Sequence, residues 1–124
     1  MDKLLLIEDE APMAEMYIEQ FSKVGFDVVW VPSAEQGLEK LNQGAPNLIL
    51  LDLLLPLKSG LYFLEKLRQM PDKKISQIPV VILSNYDDQE TKKKAKQLSV
   101  SGHLLKTDFT PKELVAEIKR IYKH

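Results

Sequence analysis

Five polar residues of this 124-residue chain close off runs that are otherwise apolar. Glu8 and Asp9 follow KLLLI, Asp52 follows NLILL, Ser84 follows PVVIL and Lys106 follows GHLL. An acid at the end of a buried run is costly to desolvate unless something pairs with it. Three carboxylates gathered in one place do not all stay ionised without a cation. An oxygen-rich acidic set with few ligands suits Mg²⁺, which keeps several waters and usually meets a substrate phosphate. A lysine ammonium offers a point charge to a phosphoryl oxygen, and a serine hydroxyl can donate to another. A carboxylate is itself a nucleophile that forms aspartyl phosphate. These residue types describe a Mg²⁺-dependent phosphoryl-transfer site with Asp52 as acceptor, if the fold brings them together.

The elements needed to do so are visible in the hydrophobic pattern. Apolar runs at residues 3–7, 27–31, 47–51, 79–83 and 102–105 read as strands, the third apolar on both faces as a central parallel strand requires. Helical spacing lies between them. Pro12 is tolerated in a first helical turn, followed by Ala14, Tyr17, Ile18, Phe21 and Val24 and ended by Gly25. Ser33 with Gln36 caps a second helix that turns Leu38 and Leu41 inward. A third helix begins at Ser59 or Gly60, carries Leu61, Leu64, Leu67 and Arg68, and is stopped by Met70-Pro71. Residues 72–77 read as a polar loop. Asp87 with Glu90 caps a fourth helix with an exposed face of Lys92, Lys93, Lys94 and Lys96. Thr110, Pro111 and Glu113 open a fifth, built on Leu114, Ile118 and Ile121.

Strict β–α alternation implies a parallel sheet with right-handed crossovers and helices on both faces. In such sheets ligands bind beyond the carboxyl ends of the strands, at the switch in strand order. All five polar residues lie at those ends. Strand two, ending at Val31-Pro32, adds nothing to the set, and Tyr17, Phe21 and Trp30 read as packing residues.

Composition excludes several classes. Hydrophobic content of 44% and charged content of 28% are those of a globular domain. A net charge of −1 gives no general attraction to nucleic acid or anionic membrane. With no cysteine there is neither a disulfide nor a Cys-ligated metal, and the apolar run at 4–7 is too short for a signal peptide or a membrane span. A cytoplasmic protein is expected.

Four motifs in order, IEDE (7–10), LLDLLLPLKSG (50–60), ILSN (82–85) and the lysine of LLKT (104–107), make the chain resemble the receiver domain of two-component response regulators along nearly its whole length. The resemblance implies a single flavodoxin-like (βα)5 three-layer α/β sandwich with strand order 2-1-3-4-5. It implies that residues 1–124 form one receiver domain with no output domain, of chemotaxis-like or phosphorelay type. Asp52 would be phosphorylated, with Ser84 and Lys106 binding the phosphoryl group. Glu8, Asp9, Asp52 and the backbone carbonyl of Leu54 would hold Mg²⁺. Ser84 and His103 would form the switch, shifting the surface of helix four, strand five and helix five, including Lys92, Lys96, His103, Lys119 and Tyr122. The implied partners are a sensor histidine kinase or histidine phosphotransferase, docked near helix one, and a downstream protein target. A phosphorylation-dependent dimer has precedent in the family. The protein would be a stoichiometric phosphoacceptor rather than a turnover enzyme.

The sequence departs from the family pattern in places. Thr107 replaces the proline that usually follows the lysine in a cis peptide, and a cis bond to a non-proline residue costs about 3 kcal/mol, so a trans bond with an adjusted loop is expected. Asn85 stands where the family prefers a small residue and narrows access to the phosphate. Leu54 and Tyr86 occupy the positions that tune acyl-phosphate hydrolysis and offer no acid or amide to orient water, which implies a long-lived phosphoryl group. Two other classes compete with the phosphoacceptor. A pure interaction module is opposed by the complete set of site residues. A phosphohydrolase with an aspartate nucleophile needs an acid at Leu54, and nucleotide binding needs a glycine-rich loop after strand one.

Overall fold

The computed structural model describes residues 2–55, 58–85 and 88–122. Strands β1 (Asp2–Ile7), β2 (Phe26–Val31), β3 (Leu48–Asp52), β4 (Val80–Ser84) and β5 (Gly102–Leu105) form one parallel sheet in the order β2-β1-β3-β4-β5. The main helices are α1 (Ala11–Lys23), α2 (Ala34–Leu41), α3 (Gly60–Arg68), α4 (Gln89–Gln97) and α5 (Pro111–Tyr122). The strand order and the alternation follow the expectation. Tyr86 and Asp87, read as tuning hydrolysis and capping a helix, lie outside the described residues, as does Pro56 of the LLDLLLPLKSG motif.

Period-two alternation divides the core into two layers. Leu5, Ile7, Ile49, Leu51, Val80 and Ile82 face α2, α3 and α4, together with Ala34, Leu41, Phe63, Leu64, Leu67 and Ala95. Leu4, Leu6, Leu48, Leu50, Val81 and Leu83 face α1 and α5, together with Ala14, Tyr17, Phe21, Leu114, Val115 and Ile118. Every residue of β3 and β4 is buried, as a strand covered on both faces must be.

Local signals set the helix ends. Ser33 Oγ accepts from the Gln36 backbone N–H at 3.2 Å but turns its own hydroxyl to the Gln36 side chain, so only half of a capping box forms. Thr110 and Glu113 form the complete box, at 2.9 and 3.2 Å. Gly25, at φ +96°, supplies the left-handed turn after α1.

Two expectations are corrected. Residues 72–77 are not all loop: Asp72 accepts from the Lys74 N–H and caps a single helical turn, Lys73–Ser76. The observed cap of α4 is Asp88, whose carboxylate accepts from the Glu90 N–H at 3.1 Å and the Thr91 hydroxyl at 2.5 Å. Adjacent acids make the two registers hard to separate by sequence.

Candidate functional site

Alternation carries past the strands and aims the site. Glu8, Asp52 and Lys106 each lie two residues beyond Leu6, Leu50 and Leu104, which all line the α1/α5 layer, so the three side chains emerge on one face at one rim. Glu8 is fully buried, Asp52 is 4% exposed and Ser84, the last residue of β4, is 4% exposed. Asp9, of opposite parity, is exposed at the mouth.

The α3 entry is held close to this rim. A Cβ at Gly60 would lie 2.5 Å from the Asp52 carbonyl oxygen and 2.8 Å from Leu53 Cα. Only glycine lets the helix start against the backbone that carries Asp52. Ser59 caps it by accepting from the Tyr62 N–H at 3.1 Å.

Lys106 Nζ donates to Glu8 Oε2 at 3.0 Å and to Asp52 Oδ2 at 3.1 Å. The other Asp52 oxygen, Oδ1, accepts from the Leu54 backbone N–H at 3.0 Å, which fixes the carboxylate plane. Glu8 Oε1 accepts a longer bond from the Glu10 N–H, 3.4 Å. Burial first, then the Asp52 charge, push the Glu8 carboxyl from 4.5 up to about 7, against the pull of Lys106. Burial alone would lower Lys106, but the Asp52 and Glu8 carboxylates outweigh it and hold the ammonium above its ordinary value. The lysine is therefore a fixed internal cation that balances part of a surplus of negative charge.

Carboxylate oxygens of Glu8, Asp9 and Asp52 all lie within 4.8 Å of one another. Three acids with one lysine leave room for a hard divalent cation, and an all-oxygen donor set fits Mg²⁺. The Leu54 side chain is 52% exposed beside Asp52. His103, in β5 opposite Ile82, is half-buried. The Lys106–Thr107 peptide is trans, and residues Lys106–Asp108 make a 3₁₀ turn out of β5. A shallow pocket of about 180 Å³ lies at the opposite end of the sheet, among Lys3, Leu5, Val29, Lys40 and Pro46, and shares no residue with the acidic cluster. The site is an open charged rim.

β2, expected to contribute nothing, reaches the site through Trp30. Its indole Nε1–H donates to the Glu8 carbonyl at 2.7 Å. Trp30 has the same parity as Val28 and packs with it against the α1/α5 layer, the face on which Glu8 emerges. That parity is the signal in the sequence that points to it. Tyr17 of α1 is the second residue near the site with more than a packing environment. Burial drives its phenol up to about 12; Lys106 opposes this, while Glu8 and Asp52 add to it.

Residues 4–119 match the family described as "Response regulator receiver domain". The chain is 34% identical over 121 residues to the phosphate regulon transcriptional regulatory protein PhoB of Escherichia coli K12, covering 98% of this chain and 52% of that protein. It thus spans about half the length of the curated relatives it matches. The Mn²⁺-bound form of response regulator Rcp1 superposes with a TM-score of 0.81 at 27% identity, over 98% of this chain and 91% of that one. The chemotaxis response regulator CheY4 of Vibrio cholerae gives a TM-score of 0.87 over 98% of each chain, a likeness of fold at 22% identity.

Proposed function

Because the chain belongs to the response regulator receiver domain family, we propose that Asp52 accepts a phosphoryl group from a phosphohistidine donor, with Mg²⁺ held at the acidic cluster. The observation that carries this reading is the convergence of Glu8, Asp52 and Lys106, with Lys106 Nζ about equally near both carboxylates. An Asp52 oxygen attacks phosphorus, the N–P bond of the donor breaks, and the imidazole leaves with its electron pair. Glu8, Asp9, Asp52 and the Leu54 carbonyl would hold the ion, which supplies charge neutralisation at the phosphoryl oxygens when bound. Lys106, already on Asp52, follows the new charge onto a phosphoryl oxygen, and Ser84 on the neighbouring strand donates to another.

A phosphoryl group at Asp52 adds charge at the ends of β3 and β4. Through Ser84 and His103 it biases the α4-β5-α5 surface, where a downstream protein binds. The phosphodonor is a sensor histidine kinase or a histidine phosphotransferase, and the chain acts stoichiometrically. PhoB is a transcriptional regulator by name; the output proposed for the present protein is a phosphorylation-dependent protein contact. Incubation with acetyl phosphate and Mg²⁺ is expected to add one phosphoryl group by intact mass, in wild type and not in Asp52→Asn. Unmodified wild-type protein under saturating conditions would favour a pure interaction module.

The exposed Leu54 side chain offers nothing that orients a hydrolytic water. The acyl phosphate is accordingly long-lived. Leu54→Asn is expected to shorten its half-life several-fold, measured by loss of the added mass after the donor is removed; an unchanged half-life would contradict this role.

A further inference from the structure

We propose that Trp30 is a positioning residue of the acidic site, its indole N–H holding the peptide plane that joins Glu8 to Asp9. This rests on the Mg²⁺-dependent reading above. β1 ends at Ile7, so the Glu8 carbonyl lies beyond the last residue of that strand. The indole Nε1–H of Trp30 donates to it at 2.7 Å from a residue 22 positions away. The backbone N–H of the same glutamate donates to the Val31 carbonyl at 3.1 Å. β2 therefore holds both main-chain polar groups of Glu8, one by backbone and one by side chain.

The Glu8 carbonyl and the Asp9 N–H belong to a single rigid plane. Fixing its oxygen fixes the direction in which the chain leaves Glu8 and the place where Asp9 begins. The two acids diverge from this plane, Glu8 to the buried Lys106 and Asp9 to the exposed mouth. Both must present an oxygen within 4.8 Å of the other and of Asp52 for the cluster to exist. Without the indole N–H, the plane can rotate about the adjoining dihedrals, and the two acids lose their common aim. The ring of Trp30 also packs against the α1/α5 layer. A test must therefore separate the N–H from the ring.

Trp30→benzothienylalanine keeps the bicyclic shape with sulfur in place of N–H, and Trp30→Phe removes both the N–H and the second ring. Mg²⁺ affinity is measured by calorimetry and stability by urea unfolding in EDTA. Trp30 is the chain's one tryptophan, so the wild-type protein gives a single indole N–H resonance, expected to exchange slowly and to move on Mg²⁺ addition. Both variants are expected to bind Mg²⁺ about fivefold more weakly, the scale of one hydrogen bond. Stability should fall further in Trp30→Phe than in the benzothienyl variant. If the phenylalanine variant does not fold, the isostere decides alone. Wild-type Mg²⁺ affinity in the isostere, with or without a loss in Trp30→Phe, overturns the proposal and leaves the Mg²⁺ reading standing. No Mg²⁺ binding by the wild type overturns both.

Discussion

In the proposed reading a proton and a divalent cation compete for Glu8. Its carboxyl is raised from 4.5 to about 7, by burial first and by the Asp52 charge second. Since the folded value exceeds the unfolded one, the native state holds an extra proton between those limits. The penalty of ionising Glu8 is absent below about 4.5 and complete above about 7. The metal-free protein is thus expected to lose stability as pH rises through that window. Mg²⁺ bound as proposed would offset the loss by displacing the proton. Urea unfolding at both ends of the window, with EDTA and with Mg²⁺, measures this; metal-free stability that rises across it would contradict the assignment. Asp52→Asn removes the neighbouring charge, so the Glu8 carboxyl carbon should titrate lower in NMR.

Between elements away from the site, Arg68 at the end of α3 ties two loops together. Its Nε–H donates to the Leu98 carbonyl at 2.8 Å, and Nη2 donates to the Ser99 carbonyl at 3.1 Å. Nη1 donates to the Ser76 and Ile78 carbonyls at 2.8 and 2.9 Å. One planar fork thereby closes the end of α4 and the turn before β4, where carbonyls lack helical partners. It also steadies the left-handed Ser99, at φ +60°. Burial lowers its pKa, yet a guanidinium stays charged at any ordinary pH. Arg68→Ala is expected to destabilise the fold by about 2–4 kcal/mol by leaving these carbonyls unpaired. Arg68→Lys should restore little, because an ammonium cannot span the same acceptors. Chemical denaturation checks both, and an Arg68→Ala midpoint equal to wild type would show that water replaces the fork without cost.

At the scale of the whole molecule, the site lies where the strand order reverses, between β1 and β3, and is completed by β4 and β5. The Lys106–Glu8 bond joins residues 98 positions apart. The unfolded chain therefore has no comparable cluster, and a ligand of the cluster stabilises the native state alone. Mg²⁺ at about a hundredfold above its Kd should add about 2.7 kcal/mol, seen as a saturable rise in the melting midpoint that EDTA reverses. A midpoint indifferent to Mg²⁺ would contradict the acidic cluster as a metal site. No helix among the described residues is long and apolar enough to cross a membrane.

The one-dimensional pattern was enough for what depends on local chemistry. Apolar runs ending in Glu8, Asp52, Ser84 and Lys106 specify strands with polar tips, and the Thr110–Glu113 box fixes a helix start from four consecutive residues. Period-two alternation even implies that Glu8, Asp52 and Lys106 share a face. What depends on distant partners was not legible. An arginine at a helix end is an ordinary surface residue until two loops bring carbonyls to it, and residues 73–76 form a helical turn although a lone apolar residue, Ile75, sets up no helical periodicity. The tertiary structure alone decided that one lysine bridges two buried carboxylates and that Trp30 reaches back to the Glu8 carbonyl. Hydrogen-bond geometry is settled within tenths of an ångström, and only the packed sheet sets distances on that scale.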